Sequence, residues 1–236
     1  MNVGLLLIIY GCNMINTRYK YIITSDWHIG SKVCEYDKLI YFLKHITTDV
    51  LILNGDIIDI DHTKRLNKKD WEILSLLRKM SKNTKIIYIR GNHDSNVSKT
   101  LSDLLGFEHC ESYELNIANK RVAVVHGDEF DFFINKFWFI TEVATKIYHW
   151  IQRFSTKKQV LARSLKRKSK RFIKCCDNIK KGAINYCTIK HYDVIICGHT
   201  HFKEDNENYK NCGCFTEAEC SFISINKNDK IKLNVI

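Results

Sequence analysis

Five short polar blocks stand in order along the chain, and each closes an apolar, β-branched run. Asp26-Trp27-His28 follows Tyr21-Ile22-Ile23-Thr24, and Gly55-Asp56 follows Val50-Leu51-Ile52-Leu53. Gly91-Asn92-His93-Asp94 follows Ile86-Ile87-Tyr88-Ile89. His126-Gly127-Asp128 follows the run from Arg121 to Val125, and Gly198-His199-Thr200-His201 follows Val194-Ile195-Ile196-Cys197. Runs that are apolar at every position, rather than at alternate ones, read as strands covered on both faces. That confines the chain to an α/β fold with helices over its sheets. Residues just past the carboxyl ends of such strands gather along one edge, so blocks distant in sequence can converge there.

The intervening pattern supplies the cover. Leu39, Ile40, Leu43 and Ile46 fall at helical spacing within residues 35–48, and Ile73, Leu74, Leu76, Leu77 and Met80 do so within 71–80. A shorter helix near residues 98–105 ends at Gly106, a fitting residue just past a helix end. Residues 113–117 and 121–125 read as a strand pair around Asn119-Lys120, and residues 222–225 and 230–235 as an antiparallel pair around Lys227-Asn228-Asp229. At 236 residues, with no repeat and no linker, the chain reads as one domain over residues 19–236. Residues 1–18 read as an N-terminal extension, with Met14 an alternative start. Its apolar stretch, Gly4 to Cys12, lacks the basic flank of a secretory signal and the length of a membrane span. The ten cysteines show no CxxC pair and read as reduced thiols of a cytosolic protein.

Taken singly, an Asp-x-His or Gly-Asp block is a common surface turn. Five in order, each after a strand, offer carboxylates, imidazoles and one carboxamide to a shared site. That donor set suits Mn²⁺, Fe or Zn²⁺. His45, His62, His109, His149 and His191 lie outside the blocks and read as non-ligands.

Charge is localised. Net charge is +11, and from Val143 to Cys176 there are eleven basic residues and no acidic one. The remaining 26 basic residues match the 26 acidic ones, so the whole excess lies in one segment. Phe130, Phe132, Phe133, Phe137, Trp138, Phe139, Tyr148, Trp150 and Phe154 crowd its start. The segment from about 129 to 186 reads as a helical insertion. An aromatic helix followed by a basic one suits an anionic lipid surface, with Trp138, Lys166, Arg167, Lys170 and Arg171 as contacts. A cap packed on the core with a solvated basic face is the plainer alternative. Nucleic acid is a third, which no binding motif supports.

The five blocks together resemble the calcineurin-like metallophosphoesterase family, over residues 21–236. The resemblance implies an α+β four-layer sandwich: two packed mixed β-sheets flanked by helices, here with a helical cap insertion. It implies two divalent ions, Mn²⁺ first with Fe or Zn²⁺ as alternatives. Asp26, His28, Asp56 and His201 would hold one, and Asp56, Asn92, His126 and His199 the other. Such a pair activates water and neutralises phosphoryl charge. His93 would stabilise the transition state or protonate the leaving oxygen, Asp94 would orient His93, Asp59 would anchor a loop near Asp56, and Asp128 would seat His126.

The flanks Ser25-Asp26-Trp27-His28-Ile29-Gly30-Ser31, Gly55-Asp56-Ile57-Ile58-Asp59, His126-Gly127-Asp128-Glu129-Phe130-Asp131 and Tyr209-x-Asn211-x-Gly213 are similar to the UDP-2,3-diacylglucosamine diphosphatase group. This implies hydrolysis of a lipid-linked UDP-sugar to UMP and diacylglucosamine 1-phosphate in lipid A synthesis, at the inner face of the plasma membrane. His93 stands where the best-known lipid A enzymes carry Arg. Two other functions fit the blocks: a phosphodiesterase, phosphatase or nuclease acting on soluble substrates, and a non-catalytic metal-bound binding module.

Overall fold

The computed structural model describes residues 17–59, 66–131 and 170–236. Two mixed sheets lie face to face. The first has the order β11-β10-β1-β2-β3-β4. It contains β1 (Arg18–Thr24), β2 (Thr47–Asn54), β3 (Lys85–Ile89), β4 (Glu108–Cys110), β10 (Ser221–Ile225) and β11 (Ile231–Val235). β1 to β4 pair in parallel, and β10 and β11 add on antiparallel. The second has the order β5-β6-β7-β9-β8, built from β5 (Ser112–Ile117), β6 (Lys120–Val125), β7 (Val194–Cys197), β8 (Glu204–Asp205) and β9 (Tyr209–Asn211).

Strand periodicity explains the layers. Alternate side chains leave a strand on opposite faces, so a continuous apolar run serves two cores. Ile22, Leu51, Leu53, Ile86 and Tyr88 face outward, packing on helices α1 (Tyr36–His45) and α2 (Lys68–Met80) through Leu39, Phe42, Leu43, Ile73 and Leu77. Ile23, Ile52, Ile87 and Ile89 face inward, meeting Leu115, Ile117, Val122, Val124, Val194 and Ile196 of the second sheet. The other faces of β6 and β7 present Ala123, Val125, Ile195 and Cys197 to Ala183 and Cys187 of helix α4 (Lys170–Lys190). Helix, sheet, sheet and helix make the expected four layers.

Element boundaries differ where local chemistry decides them. α1 stops at His45, because Ile46 turns extended and the β-branched Thr47 and Thr48 enter β2. α2 starts three residues earlier than its apolar spacing suggests, because Asn67 caps it and Asp70 returns the bond to the Asn67 amide. Helix α3 (Ser98–Leu105) does end at Gly106, in a left-handed conformation. The β5–β6 turn centres on Ala118-Asn119, both with positive φ, one residue earlier than expected.

At the carboxyl end of the insertion α4 runs on to Lys190, and its buried face, with Ala183 and Cys187, forms a layer of the core. Only backbone is described for Lys170 and Arg171, in the first turn of α4. Trp138, Lys166, Arg167, His62, His149 and residues 1–16 lie outside the described residues. Cys34, Cys110, Cys187, Cys197, Cys212, Cys214 and Cys220 are free thiols. No helix among the described residues is long and apolar enough to cross a membrane.

Candidate metal centre

The blocks converge at the carboxyl ends of β1, β2, β3, β6 and β7. Beyond β1 and β2 the two loops keep pairing: Asp26 N donates to Gly55 O at 3.1 Å, His28 N to Asp56 O at 3.0 Å and Ile29 N to Ile57 O at 2.9 Å. Trp27 is fully buried, with its indole N–H on Thr24 Oγ1 at 2.8 Å and its ring edge-on to Phe215. It turns into the core so that its two neighbours turn out to the site. Asn211 donates to Gly198 O at 2.7 Å and accepts from Gly213 N at 2.9 Å, seating the loop that carries His199 and His201.

These loops hold strained backbone. Asp26, His28, Asp56, His199 and His201 all have φ between 49° and 64°. Such residues cost of the order of 1–3 kcal/mol each and persist only where surroundings fix them. The other non-glycine residues with positive φ among those described, Ala118, Asn119, His191 and Asp229, lie away from the blocks. Close approach adds a second constraint. A Cβ at Gly198 would sit 2.6 Å from Ser25 Oγ and 2.7 Å from Asp26 Oδ2, and one at Gly91 would run into the Asp56 amide and carboxylate.

Side chains gather into overlapping groups able to hold an ion: Asp26, His28 and His201; His28, Asp56 and His93; and Asp56, His126 and His199. His201 Nε2 is 3.1 Å from Asp26 Oδ1, His28 Nε2 is 3.9 Å from Asp56 Oδ2, and His126 Nε2 is 3.3 Å from that same oxygen. The donors fit divalent ions on an independent ground. Asp26 Oδ1, Asn92 Oδ1 and His126 Nε2 are buried without a hydrogen-bond partner, a costly arrangement in the protein alone.

The far nitrogens are held. His126 Nδ1 lies 2.8 Å from Asn54 O, His201 Nδ1 3.2 Å from Thr216 Oγ1, His28 Nδ1 3.5 Å from Asp59 Oδ2, and His199 Nε2 3.3 Å from Asp131 Oδ2. Such partners orient a metal-binding ring.

Charge follows this crowding. Burial alone would raise the Asp56 carboxyl, but the His126, His93 and His28 rings outweigh it and hold the group well below the usual carboxylate range. Burial opposes a charged His126, yet Asp56 and Asp26 raise its imidazole to about 10. His93 rises to about 9 against its burial, through Asp59 and Asp56.

Two sequence assignments change. Asp94 does not reach His93: its Oδ2 accepts from Tyr88 Oη and Ile57 N, each at 2.7 Å, and its Oδ1 from Gly91 N at 2.8 Å. It ties the loop after Asp56 to the loop before Asn92. The carboxylate at His93 is instead Asp59, whose Oδ1 lies 3.8 Å from Nδ1. Asp128 stands 3.5 Å from Arg90 Nη1. Asp131, read in the sequence only as part of a flank, is the carboxylate at His199. Its signal was weak: the third acid in the five residues past His126. His45, His109 and His191 belong to none of the three groups.

The two-sheet sandwich thus carries, at its strand ends, a cluster of carboxylates and imidazoles able to hold metal ions. The chain belongs to the calcineurin-like phosphoesterase family, whose profile matches residues 19–203. No curated protein matches the chain at a significant level. Solved structures that it resembles include an archaeal phosphodiesterase, with 15% identity over 92% of this chain and 99% of that one, at a TM-score of 0.46. Vps29 from Entamoeba histolytica with Zn²⁺ shows 12% identity over 92% and 97%, at 0.43. The Pseudomonas putida nuclease MPE shows 23% over 46% and 54%, at 0.35. Likeness this distant carries nothing about substrate.

Proposed function

We propose that the protein hydrolyses a phosphoanhydride or phosphodiester with two divalent ions. Asp26, His28 and His201 would hold one, Asn92, His126 and His199 the other, and Asp56 would bridge. The carrying observation is the position of Asp56 Oδ2, 3.9 Å from His28 Nε2 on one side and 3.3 Å from His126 Nε2 on the other. An ion pair supplies Lewis acidity to phosphoryl oxygens and a nucleophilic water at neutral pH. His93, edge-on to His28 with ring centroids 4.8 Å apart, offers an imidazole to the leaving oxygen or to transition-state charge. Asp59 orients that ring. Mn²⁺ is the ion we expect first, since carboxylate, imidazole and carboxamide donors all suit it.

The substrate we propose is UDP-2,3-diacylglucosamine, cleaved to UMP and diacylglucosamine 1-phosphate by a protein peripherally bound to the anionic inner face of the plasma membrane. The similarity of the flanking motifs supports it, as does the aromatic and basic segment between His126 and His199. His93, in place of Arg, favours the rival reading of a phosphodiesterase or nuclease on soluble substrates. A panel with added Mn²⁺ separates them: the diacyl UDP-sugar, bis-p-nitrophenyl phosphate, cyclic nucleotides and single-stranded DNA. We expect UMP release from the lipid. Turnover of simple diesters with the lipid untouched would remove the lipid assignment and leave the phosphoesterase one. Asp56→Asn should abolish all turnover, and activity kept at wild-type level would sink the bridged pair. No turnover of any substrate by the metal-loaded protein would favour a binding module.

A further inference from the structure

An imidazole offers an ion one ring nitrogen, and the partner of the other decides which. At His28, His126 and His201 the nitrogen facing an outer partner is Nδ1, with Asp59, Asn54 O and Thr216 as the partners. Nε2 of each lies against an aspartate of the centre. His199 is reversed. Its Nε2 faces Asp131 Oδ2 at 3.3 Å, while its ring stays edge-on to His126 with centroids 5.3 Å apart. Asp131 is 7% exposed, so solvent competes little for that contact.

We propose that Asp131 is a positioning residue that accepts the Nε2–H of His199 and so leaves Nδ1 as the nitrogen offered to the second ion. The proposal rests on the two-ion reading above. A carboxylate acceptor holds this tautomer more firmly than a carbonyl or hydroxyl and makes the ring a stronger donor to a cation. Its placement is built in. Asp131 closes the short turn Asp128–Phe130, with its amide on Asp128 O at 3.1 Å. Phe130 anchors that turn on α4, against Tyr186 at 5.6 Å between ring centroids and over Gly182, where a Cβ would come within 3.1 Å. The loop after β6 thus supplies both a ligand, His126, and the acceptor that fixes a ligand from β7. α4 braces both.

Asp131→Asn and Asp131→Ala test this, with Mn²⁺ binding to chelator-treated protein followed by calorimetry and ¹⁵N-histidine NMR on metal-free and Zn²⁺-loaded protein. Wild type should bind two ions, with His199 protonated at Nε2 and shifted by Zn²⁺ at Nδ1. Asp131→Ala should weaken the second ion about 10- to 100-fold and leave the first unchanged. Asp131→Asn, whose carboxamide oxygen can still accept, should fall between and keep the fold intact in thermal unfolding with chelator. Unchanged second-ion affinity in both variants, or Zn²⁺ on Nε2 of His199, would overturn the proposal. A wild type that binds a single ion would overturn the two-ion reading instead, and the His199 tautomer in metal-free protein would still decide the Asp131 contact.

Discussion

Removing Asp94 should cost stability before it costs chemistry. Its carboxylate is fully buried and takes three bonds: Tyr88 Oη and Ile57 N at 2.7 Å, and Gly91 N at 2.8 Å. Asp94→Ala strands two amides and a hydroxyl, each worth roughly 1–3 kcal/mol when left unsatisfied. Two effects reduce the sum. Burial, and the nearby Asp56 charge, push the Asp94 carboxyl upward, so the native charge is itself held at a cost. Water can also enter the space left by a truncated side chain. A net loss of about 3–4 kcal/mol follows, in the range for breaking a buried charged network. For a chain of this size that is roughly 6–16 °C in Tm. Asp94→Asn keeps the shape and one acceptor oxygen. Placed toward Tyr88 and Ile57, that oxygen leaves an NH₂ against the Gly91 N–H, for a loss of about 1–2 kcal/mol. Urea unfolding in chelator measures both without metal linkage. If Asp94→Ala unfolds within about 0.5 kcal/mol of wild type in chelator while kcat collapses, Asp94 acts on the chemistry and the loop-tying role is wrong.

Three other outcomes are expected. His93→Ala should lower kcat by roughly 10²- to 10⁴-fold at unchanged metal content, and a comparable loss of bound metal would move His93 among the ligands. Gly198→Ala, which forces a methyl to 2.6 Å from Ser25 Oγ and 2.7 Å from Asp26 Oδ2, should cost about 1–3 kcal/mol of stability and weaken metal binding; a variant indistinguishable from wild type in both would mean the loop relaxes freely. Metal uptake should release protons. Against their burial, Asp56 and Asp26 raise His126 to about 10, and Asp26 and Cys214 raise His201 well above its ordinary value, so both rings favour their protonated forms without metal. Ligation needs them neutral, so affinity should rise with pH, and calorimetry in buffers of different ionisation enthalpy should detect the proton; no buffer dependence would contradict the charge state argued here.

What was legible in the sequence was legible because it is local. Apolar runs such as Ile86–Ile89 are adjacent residues, so their double-sided burial shows directly, and each block's place past a strand end follows from chain direction. β4, β8 and β9 escaped, being two or three residues long with little pattern. The place of α4 as a core layer was harder to read, because small side chains such as Ala183 and Cys187 on its buried face leave little apolar pattern.

The sequence by itself determined the donors: which carboxylates, imidazoles and carboxamide the chain can bring to one edge of its sheets. Tertiary structure alone decided how each donor is turned. His28 and His201 are 173 residues apart yet 3.3 Å from each other at Nε2. Asp94 ties loops instead of meeting His93, Asp59 is the carboxylate that stands 3.8 Å from that ring, and Asp131 faces His199 across 68 residues of chain. Ring orientation depends on the partner of the far nitrogen, and that partner arrives from another strand or loop, where no local pattern records it.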